Sequence, residues 1–142
     1  MRMGSIGALA ALCMFTAGLA HAATLNFSAT LIGPSEVPPN TTTGTGQVQA
    51  TLDTDTKAFT YTVTYSGLTG PAVAAHFHGP AAPGVNAGVV VPFPMPVTSP
   101  DKGTATLTDA QIADLMAGKW YFNVHTAEHK GGEIRGQLAS AP

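Results

Sequence analysis

The stretch QVQATLDTDTKAFTYTVTY, residues 47–65, decides the fold class of this chain. Apolar and polar side chains alternate before and after its central DTDTK segment, which is the period of a half-buried β-strand. Residues 47–52 and 59–65 therefore predict two strands, and residues 53–57 predict the tight turn that joins them into a hairpin.

The same alternation, interrupted by glycine and proline, recurs along most of the chain. Only 10% of the residues are charged, whereas long amphipathic helices need Lys and Glu on their outer face. We expect an all-β domain, a Greek-key β-sandwich of about eight strands in two sheets. The other predicted strands are 24–31, 73–78, 89–91, 103–107, 120–125 and 133–138.

One short helix is predicted, at about residues 108–117. Thr108 can cap it, with Gln111 three residues later as in a capping box. Ile112, Leu115 and Met116 have helical spacing, which favours packing of all three on the core. Gly118 is a suitable residue to end the helix.

The first 22 residues have the pattern of a secretory signal peptide. Arg2 precedes an apolar run, and Ala20-His21-Ala22 offers a cleavage site. We expect a periplasmic or secreted protein, with residues 23–142 forming a single domain and no membrane span after cleavage. Cys13, the only cysteine, leaves with the leader, so no disulfide is expected. The formal net charge of −2 gives no electrostatic basis for binding nucleic acid.

The motif AHFHGP, residues 75–80, is the first candidate for chemistry. Alternate side chains of a strand share a face, so His76 and His78 point the same way while Ala75 and Phe77 point toward the core. Two imidazoles on one rigid face form half of a metal site. As a bare pattern this pair is more often an ordinary surface feature than a metal site.

The remaining mature histidines, His125 and His129, lie in a second short segment. Alternation from Trp120 to Val124 puts His125 on the face opposite the core, and His129 follows on a loop. If the two segments meet, His76, His78 and His125 converge, with His129 as a possible fourth ligand. Imidazole suits copper or zinc, and we expect copper before zinc.

These segments also carry a family resemblance. AAHFHGPA at residues 74–81, NVHT at 123–126 and GEIRGQ at 132–137 resemble the CHRD domain over about residues 25–138. The resemblance implies a β-sandwich similar to the copper/zinc superoxide dismutase fold, in which a His-x-His strand and a later histidine hold copper. By position, His76, His78 and His125 match that set. The chain lacks the disulfide cysteines of the full dismutase pattern, and it lacks further histidines for a separate zinc site, so a copper-only site is implied.

Three other residues are candidates for supporting roles. Arg135 is predicted on an outward strand face beside Glu133 and Gln137, where it could steer an anion such as superoxide toward copper. The alternative is a surface ion pair of Arg135 with Glu133, Glu128 or Asp114. Glu128 and Glu133 are candidates to orient an imidazole.

The leading functional hypothesis is a copper-binding domain for copper handling or for redox chemistry of the superoxide-dismutating type. Two other classes stay open, a non-catalytic extracellular interaction module and a structural β-sandwich. A homodimer is compatible with the sequence. Met95, in a proline-rich loop, is a weak candidate for a thioether ligand, and Met116 is assigned to the core.

Overall fold

A computed structural model of the protein describes residues 23–142, and the predicted leader, residues 1–22, lies outside the described residues. The described chain folds into nine β-strands, one 3₁₀ turn and one α-helix. The strands are β1 (Thr24–Ile32), β2 (Thr45–Asp53), β3 (Ala58–Ser66), β4 (Ala72–His78), β5 (Val89–Pro92), β6 (Asp101–Thr106), β7 (Tyr121–Thr126), β8 (Ile134–Gln137) and β9 (Ala139–Ala141). The 3₁₀ turn is Gly33–Ser35, and the helix α1 is Asp109–Met116.

The strands form one antiparallel sheet with the order β5-β4-β7-β8-β1-β2-β3-β6, and β9 adds to β1. The sheet is nearly closed and curls around a single core. β8 and β1 are joined at only one residue pair, Arg135 with Ile32. The expected two-sheet arrangement is therefore present in a modified form, because the two halves of one sheet meet at this narrow seam. The all-β prediction is confirmed.

The predicted hairpin is strands β2 and β3, which pair from Thr45 with Ser66 to Leu52 with Phe59. Asp53 closes the turn, because its Oδ1 accepts hydrogen bonds from the backbone N–H groups of Asp55 and Thr56 at 3.0 and 2.8 Å. The alternating apolar residues of both strands are buried.

An aromatic cluster fills the space between the two halves of the sheet. The Phe59 ring lies edge-on to Phe77 at 5.2 Å and to Trp120 at 5.7 Å between ring centroids. Phe77 also contacts Phe122 at 4.6 Å. Edge-to-face pairs of this kind add to the burial of large apolar surface. Because Phe77 lies between His76 and His78, this packing fixes the direction of both imidazoles.

Helix α1 begins and ends as predicted. Thr108 Oγ1 accepts from the Gln111 N–H at 3.2 Å, and the Thr108 N–H donates to Gln111 Oε1 at 2.9 Å, which completes the capping box. Gly118 has a φ of +70°, a left-handed conformation that glycine adopts without strain. One prediction is wrong: Met116 is 55% exposed, and Leu115 instead supplies the buried contact.

The expected exposure of the outer face of β8 is also wrong, although Glu133 and Arg135 do lie off the core face. Glu133 and Arg135 are buried, and Gln137 is half-buried, because loops fold over this part of the sheet. The described residues form one strand more than expected, since β9 pairs with β1 from Asn26 to Ser28. Within residues 23–142 no helix is long and apolar enough to cross a membrane.

Candidate metal centre

The candidate site lies on the outer face of strands β4 and β7. Ala75 and Phe77 of β4 are buried in the core, so His76 and His78 occupy the opposite face of the strand. On β7 the residues that share this face are Tyr121, Asn123 and His125. The strand register pairs His76 with Asn123, His78 with Tyr121, and Ala74 with His125.

This register brings three imidazoles together. His76 Nδ1 lies 3.2 Å from His125 Nε2, and the His76 ring centroid lies 5.5 Å from that of His78. One ring nitrogen from each of the three histidines lies within 4.8 Å of the others. Two ligands held about 2.0 Å from a tetrahedral metal ion are about 3.3 Å apart. The His76–His125 pair already has that spacing, and the ligand nitrogen of His78 lies within 4.8 Å of the other two.

Hydrogen bonds to backbone carbonyls define which ring nitrogens carry protons. His125 Nδ1 lies 2.9 Å from the Lys130 carbonyl oxygen, and His78 Nδ1 lies 2.9 Å from that of Ala87. A carbonyl oxygen only accepts, so each Nδ1 donates. The Nε2 atoms of His78 and His125 therefore carry the lone pairs that a metal ion requires.

The electrostatic environment favours neutral rings. Burial is the main cause that lowers the pKa of His76, His78 and His125 below the usual 6.5. Repulsion from the other two imidazoles lowers the pKa of His76 further, while the contacts with Ala87 and Asn123 partly oppose the effect at His78. The neutral imidazole is the form that binds metal.

Arg135 does not lie on an exposed face, contrary to the expectation. Its side chain is only 2% exposed, and its guanidinium carbon lies 3.4 Å from the centroid of the Tyr121 ring. Its two terminal nitrogens donate to Asn86 Oδ1 at 2.9 Å and to the Val85 carbonyl at 2.7 Å. Arg135 thus fixes the β4–β5 loop.

That loop in turn supports His78. The His78 ring stacks on Tyr121 at 4.7 Å with an interplanar angle of 3°, and the Ala87 carbonyl on the loop accepts its Nδ1–H. The Ala87 N–H also donates to Tyr121 Oη at 3.1 Å. The contacts of Arg135 are therefore those of a positioning residue, and the alternative of a surface ion pair is not observed either.

Glu133 is buried, and its carboxylate makes no hydrogen bond to an imidazole of the described residues, so its expected role in orienting a histidine is not observed. Its carboxylate accepts hydrogen bonds from the hydroxyls of Thr42, Thr69 and Thr126 at 2.6–2.7 Å and from the Thr69 N–H at 2.8 Å. Burial alone would raise its pKa, but these four donors together lower the pKa to about 2. Glu133 joins three segments of chain, while Glu128 is exposed on the β7–β8 loop.

The structure does not bring His129 to the other histidines. Among residues 23–142, the histidine cluster contains only His76, His78 and His125. The His129 carbonyl accepts from the backbone N–H groups of Thr126 and Gly132 at 3.3 and 3.1 Å. His129 instead lines a separate surface pocket of about 240 Å³ with Val37 and other loop residues. The weak candidate Met95 is 65% exposed on the β5–β6 connection.

Two residues next to the site were not predicted, Asn123 and Glu36. Both are 4% exposed. The alternation of β7 already placed Asn123 on the same face as His125, so its position could have been predicted. Glu36 follows the 3₁₀ turn in a proline-rich loop, and no periodic pattern indicates its burial.

Together these features define an all-β domain with a cluster of three histidines on the outside of its sheet. The CHRD domain family matches residues 27–138, and the chain belongs to that family. No curated protein and no solved structure matches the chain. The similarity to the superoxide dismutase fold therefore remains an expectation from the sequence.

Proposed function

We propose that this protein is an extracellular copper-binding domain whose ligands are His76, His78 and His125. The observation that carries the proposal is the convergence of three mostly neutral imidazole rings, with one nitrogen of each within 4.8 Å. Membership of the CHRD family supports the extracellular setting. The predicted leader supports either the periplasm or secretion.

The chemistry of the ligands favours copper over zinc. All three ligands are imidazoles, and a site made only of nitrogen donors binds Cu²⁺ more tightly than Zn²⁺ in the general order of divalent metals. A bound copper would supply one-electron redox chemistry, because it exchanges between two oxidation states. The residues of this chain would hold the ion by His76 Nδ1, His78 Nε2 and His125 Nε2.

Copper handling and dismutation of superoxide both use such a site. His76 and His125 are only partly buried, so one side of the cluster is accessible to a small anion, which supports the redox alternative. The buried position of Arg135 gives no support to electrostatic steering by that residue. Copper binding is therefore the proposed function, and dismutation of superoxide is a second, less supported function of the same site.

A copper titration of the mature protein tests the proposal. We expect one Cu²⁺ per chain, and we expect a paramagnetic resonance spectrum that shows coupling to three nitrogen nuclei. The double variant His76→Ala/His78→Ala should lose this binding while keeping its circular dichroism spectrum. Wild-type affinity weaker than about 1 μM, or equal binding by the double variant, would overturn the proposal. Assaying the loaded protein for superoxide dismutation separates the redox function from handling.

A further inference from the structure

Asn123 lies between the candidate ligand His78 and the buried carboxyl group of Glu36. Its Oδ1 is 3.0 Å from His78 Nε2. Its Nδ2 and the Glu36 Oε1 both lie against the Cα of Gly132, where a Cβ would collide with them. Gly132 has a φ of +128°, a conformation that also favours glycine. The three polar groups therefore form a continuous path from Glu36 to the site.

The contact between Asn123 and His78 is not a hydrogen bond when the ring is neutral. His78 Nδ1 carries the proton, because it donates to the Ala87 carbonyl. Nε2 then has only a lone pair, and it faces an amide oxygen, which is also an acceptor. Two acceptors repel each other. In this orientation no hydrogen bond holds the amide on the Nε2 lone pair, so a cation that displaces the amide oxygen from Nε2 breaks no bond there.

The opposite orientation of the Asn123 carboxamide would form different hydrogen bonds with His78 and Glu36. A half-turn of the amide lets Nδ2 donate to His78 Nε2 and leaves Oδ1 facing Glu36. That arrangement needs a donor on Glu36, so it requires the neutral carboxylic acid. An ionised Glu36 instead favours the orientation with Nδ2 on its side of the amide, which is the orientation that the structure has. Within residues 23–142, Glu36 Oε1 is buried without a donor in good hydrogen-bond geometry.

We propose that Asn123 is a gate on His78 and that the proton on Glu36 sets its position. With neutral Glu36, the amide occupies the His78 lone pair and the metal site has two available imidazoles. With ionised Glu36, the amide turns over and His78 becomes the third ligand. The inference deepens the proposed function and rests on it, because the gate regulates the same metal site.

The surroundings of Glu36 place this switch near neutral pH. Burial is the main cause that raises the pKa of Glu36, to about 7. The charged or titratable groups that face it are Arg135 on β8 and His129 on the β7–β8 loop, and both lower the pKa, as do contacts with Asn123 and the Val37 backbone. Coupling between sites is reciprocal, so copper binding should release the proton from Glu36.

The first test measures copper affinity against pH in the wild type and in Glu36→Gln. Between about pH 6.5 and pH 8.5 the three histidines are largely neutral, so an increase in affinity over this range reports Glu36. We expect Glu36→Gln to lack this increase and to bind about tenfold more weakly at the upper end, as for other residues that support metal ligands. Glu128→Gln, which removes an exposed carboxylate nearby, should retain the wild-type profile.

A double-mutant cycle distinguishes the gate from a simple effect of charge. In an Asn123→Ala background the amide is absent, so Glu36→Gln should change copper affinity by less than about twofold. Asn123→Ala alone should bind copper at the lower pH at least as well as the wild type. If Glu36→Gln still weakens binding tenfold in the Asn123→Ala background, Glu36 acts through space and the gate is refuted.

Nitrogen NMR of the metal-free protein tests the gate without any metal. The His78 Nε2 resonance should shift as the pH passes through about 7, while Nδ1 keeps its proton. The same resonance should not shift in Glu36→Gln. Identical His78 spectra of the two proteins would overturn the gate, even if copper binds. Failure of the wild type to bind copper, together with the expected NMR shift, would instead overturn the proposed function alone.

Discussion

His76 Nδ1 lies 3.2 Å from His125 Nε2, although 48 residues of chain separate the two histidines. The distance follows from the antiparallel register of β4 and β7, which pairs His125 with Ala74, two residues from His76 on the same face of β4. Since His125 Nδ1 donates to Lys130, its Nε2 accepts, and His76 Nδ1–H is the donor of this pair in the metal-free protein. For His76 to hold a metal ion through Nδ1, this proton would move to Nε2 of the same ring, which keeps the imidazole neutral.

The two histidines of the second segment should differ in their effect on metal binding. We expect His125→Ala to weaken copper binding by at least about 100-fold, because it removes one of the three ligands that hold the ion. His129→Ala should change the affinity by less than about threefold, since His129 lines a separate surface pocket. Calorimetric titration of both variants measures the difference.

The same pair of variants contains its own control. His129→Ala removes an imidazole from the same segment and leaves the β7 register unchanged. Equal losses in the two variants would contradict the three-histidine site and restore His129 as a ligand.

Arg135 should act through the structure of the β4–β5 loop. Arg135→Lys keeps the positive charge but loses the planar group that stacks on Tyr121 and donates to Asn86 and Val85. We expect the free energy of unfolding to fall by about 1–3 kcal/mol, measured by urea denaturation. If the copper-loaded protein dismutates superoxide, the salt dependence of its rate should be the same in Arg135→Lys and wild type.

A different outcome would restore the steering hypothesis. Two results together would show that Arg135 attracts the anion. Arg135→Lys would be as stable as the wild type, and in Arg135→Met the dismutation rate would lose its dependence on ionic strength. Lys57, whose ammonium group pairs with Asp109 at 2.8 Å, is a surface cation suited to a charge-removal control.

Glu133 should make the stability of the fold depend on acid pH. Its pKa of about 2 in the folded protein lies below the usual 4.5, so the folded state releases this proton more readily than the unfolded chain does. The stabilisation is fully present above about pH 4.5 and is lost as the pH falls toward 2. We expect Glu133→Gln to lower stability at neutral pH by about 1–3 kcal/mol and to flatten the acid limb of the stability curve.

Thermal unfolding at a series of pH values measures this effect. Glu128→Gln is the matched control, because it removes an exposed carboxylate five residues away. A wild-type stability that is constant from about pH 5 to about pH 2 would contradict the ionised, threonine-bound state of Glu133.

Local patterns were sufficient to predict the hairpin and the helix. The β2–β3 hairpin depends on alternation and on the Asp53 turn, and α1 depends on the Thr108 cap and Gly118. All of these are interactions between residues close in the chain. The sequence did not predict that β4 pairs with β7. Alternation did predict the strand face of each imidazole, so the cluster follows if the two strands are neighbours. For this reason the three clustered histidines could be anticipated.

Most of the wrong sequence predictions concern residues whose surroundings are formed by segments distant in the chain. Alternation correctly placed Glu133 and Arg135 off the core face, yet it could not show that the loops carrying Thr42 and Val85 cover that face. The position of His129 depends on the path of an irregular loop, which has no period. Met116 has helical spacing but is exposed, because Leu115 and the partly buried Ile112 make the core contacts of this short helix.

The seam between the two halves of the sheet should be sensitive to a single methyl group. At Gly136 of β8 a Cβ would collide with the Thr30 carbonyl of β1, which is backbone and cannot rotate away. We expect Gly136→Ala to destabilise the fold by about 1–3 kcal/mol, as overpacking usually does. It should also disturb copper binding, because β8 pairs with β7 beside Asn123. Gly131→Ala is the control, since a Cβ there meets nothing within 4 Å. If urea denaturation shows the same stability for both variants, the strands β8 and β1 are not packed as closely as the structure has them.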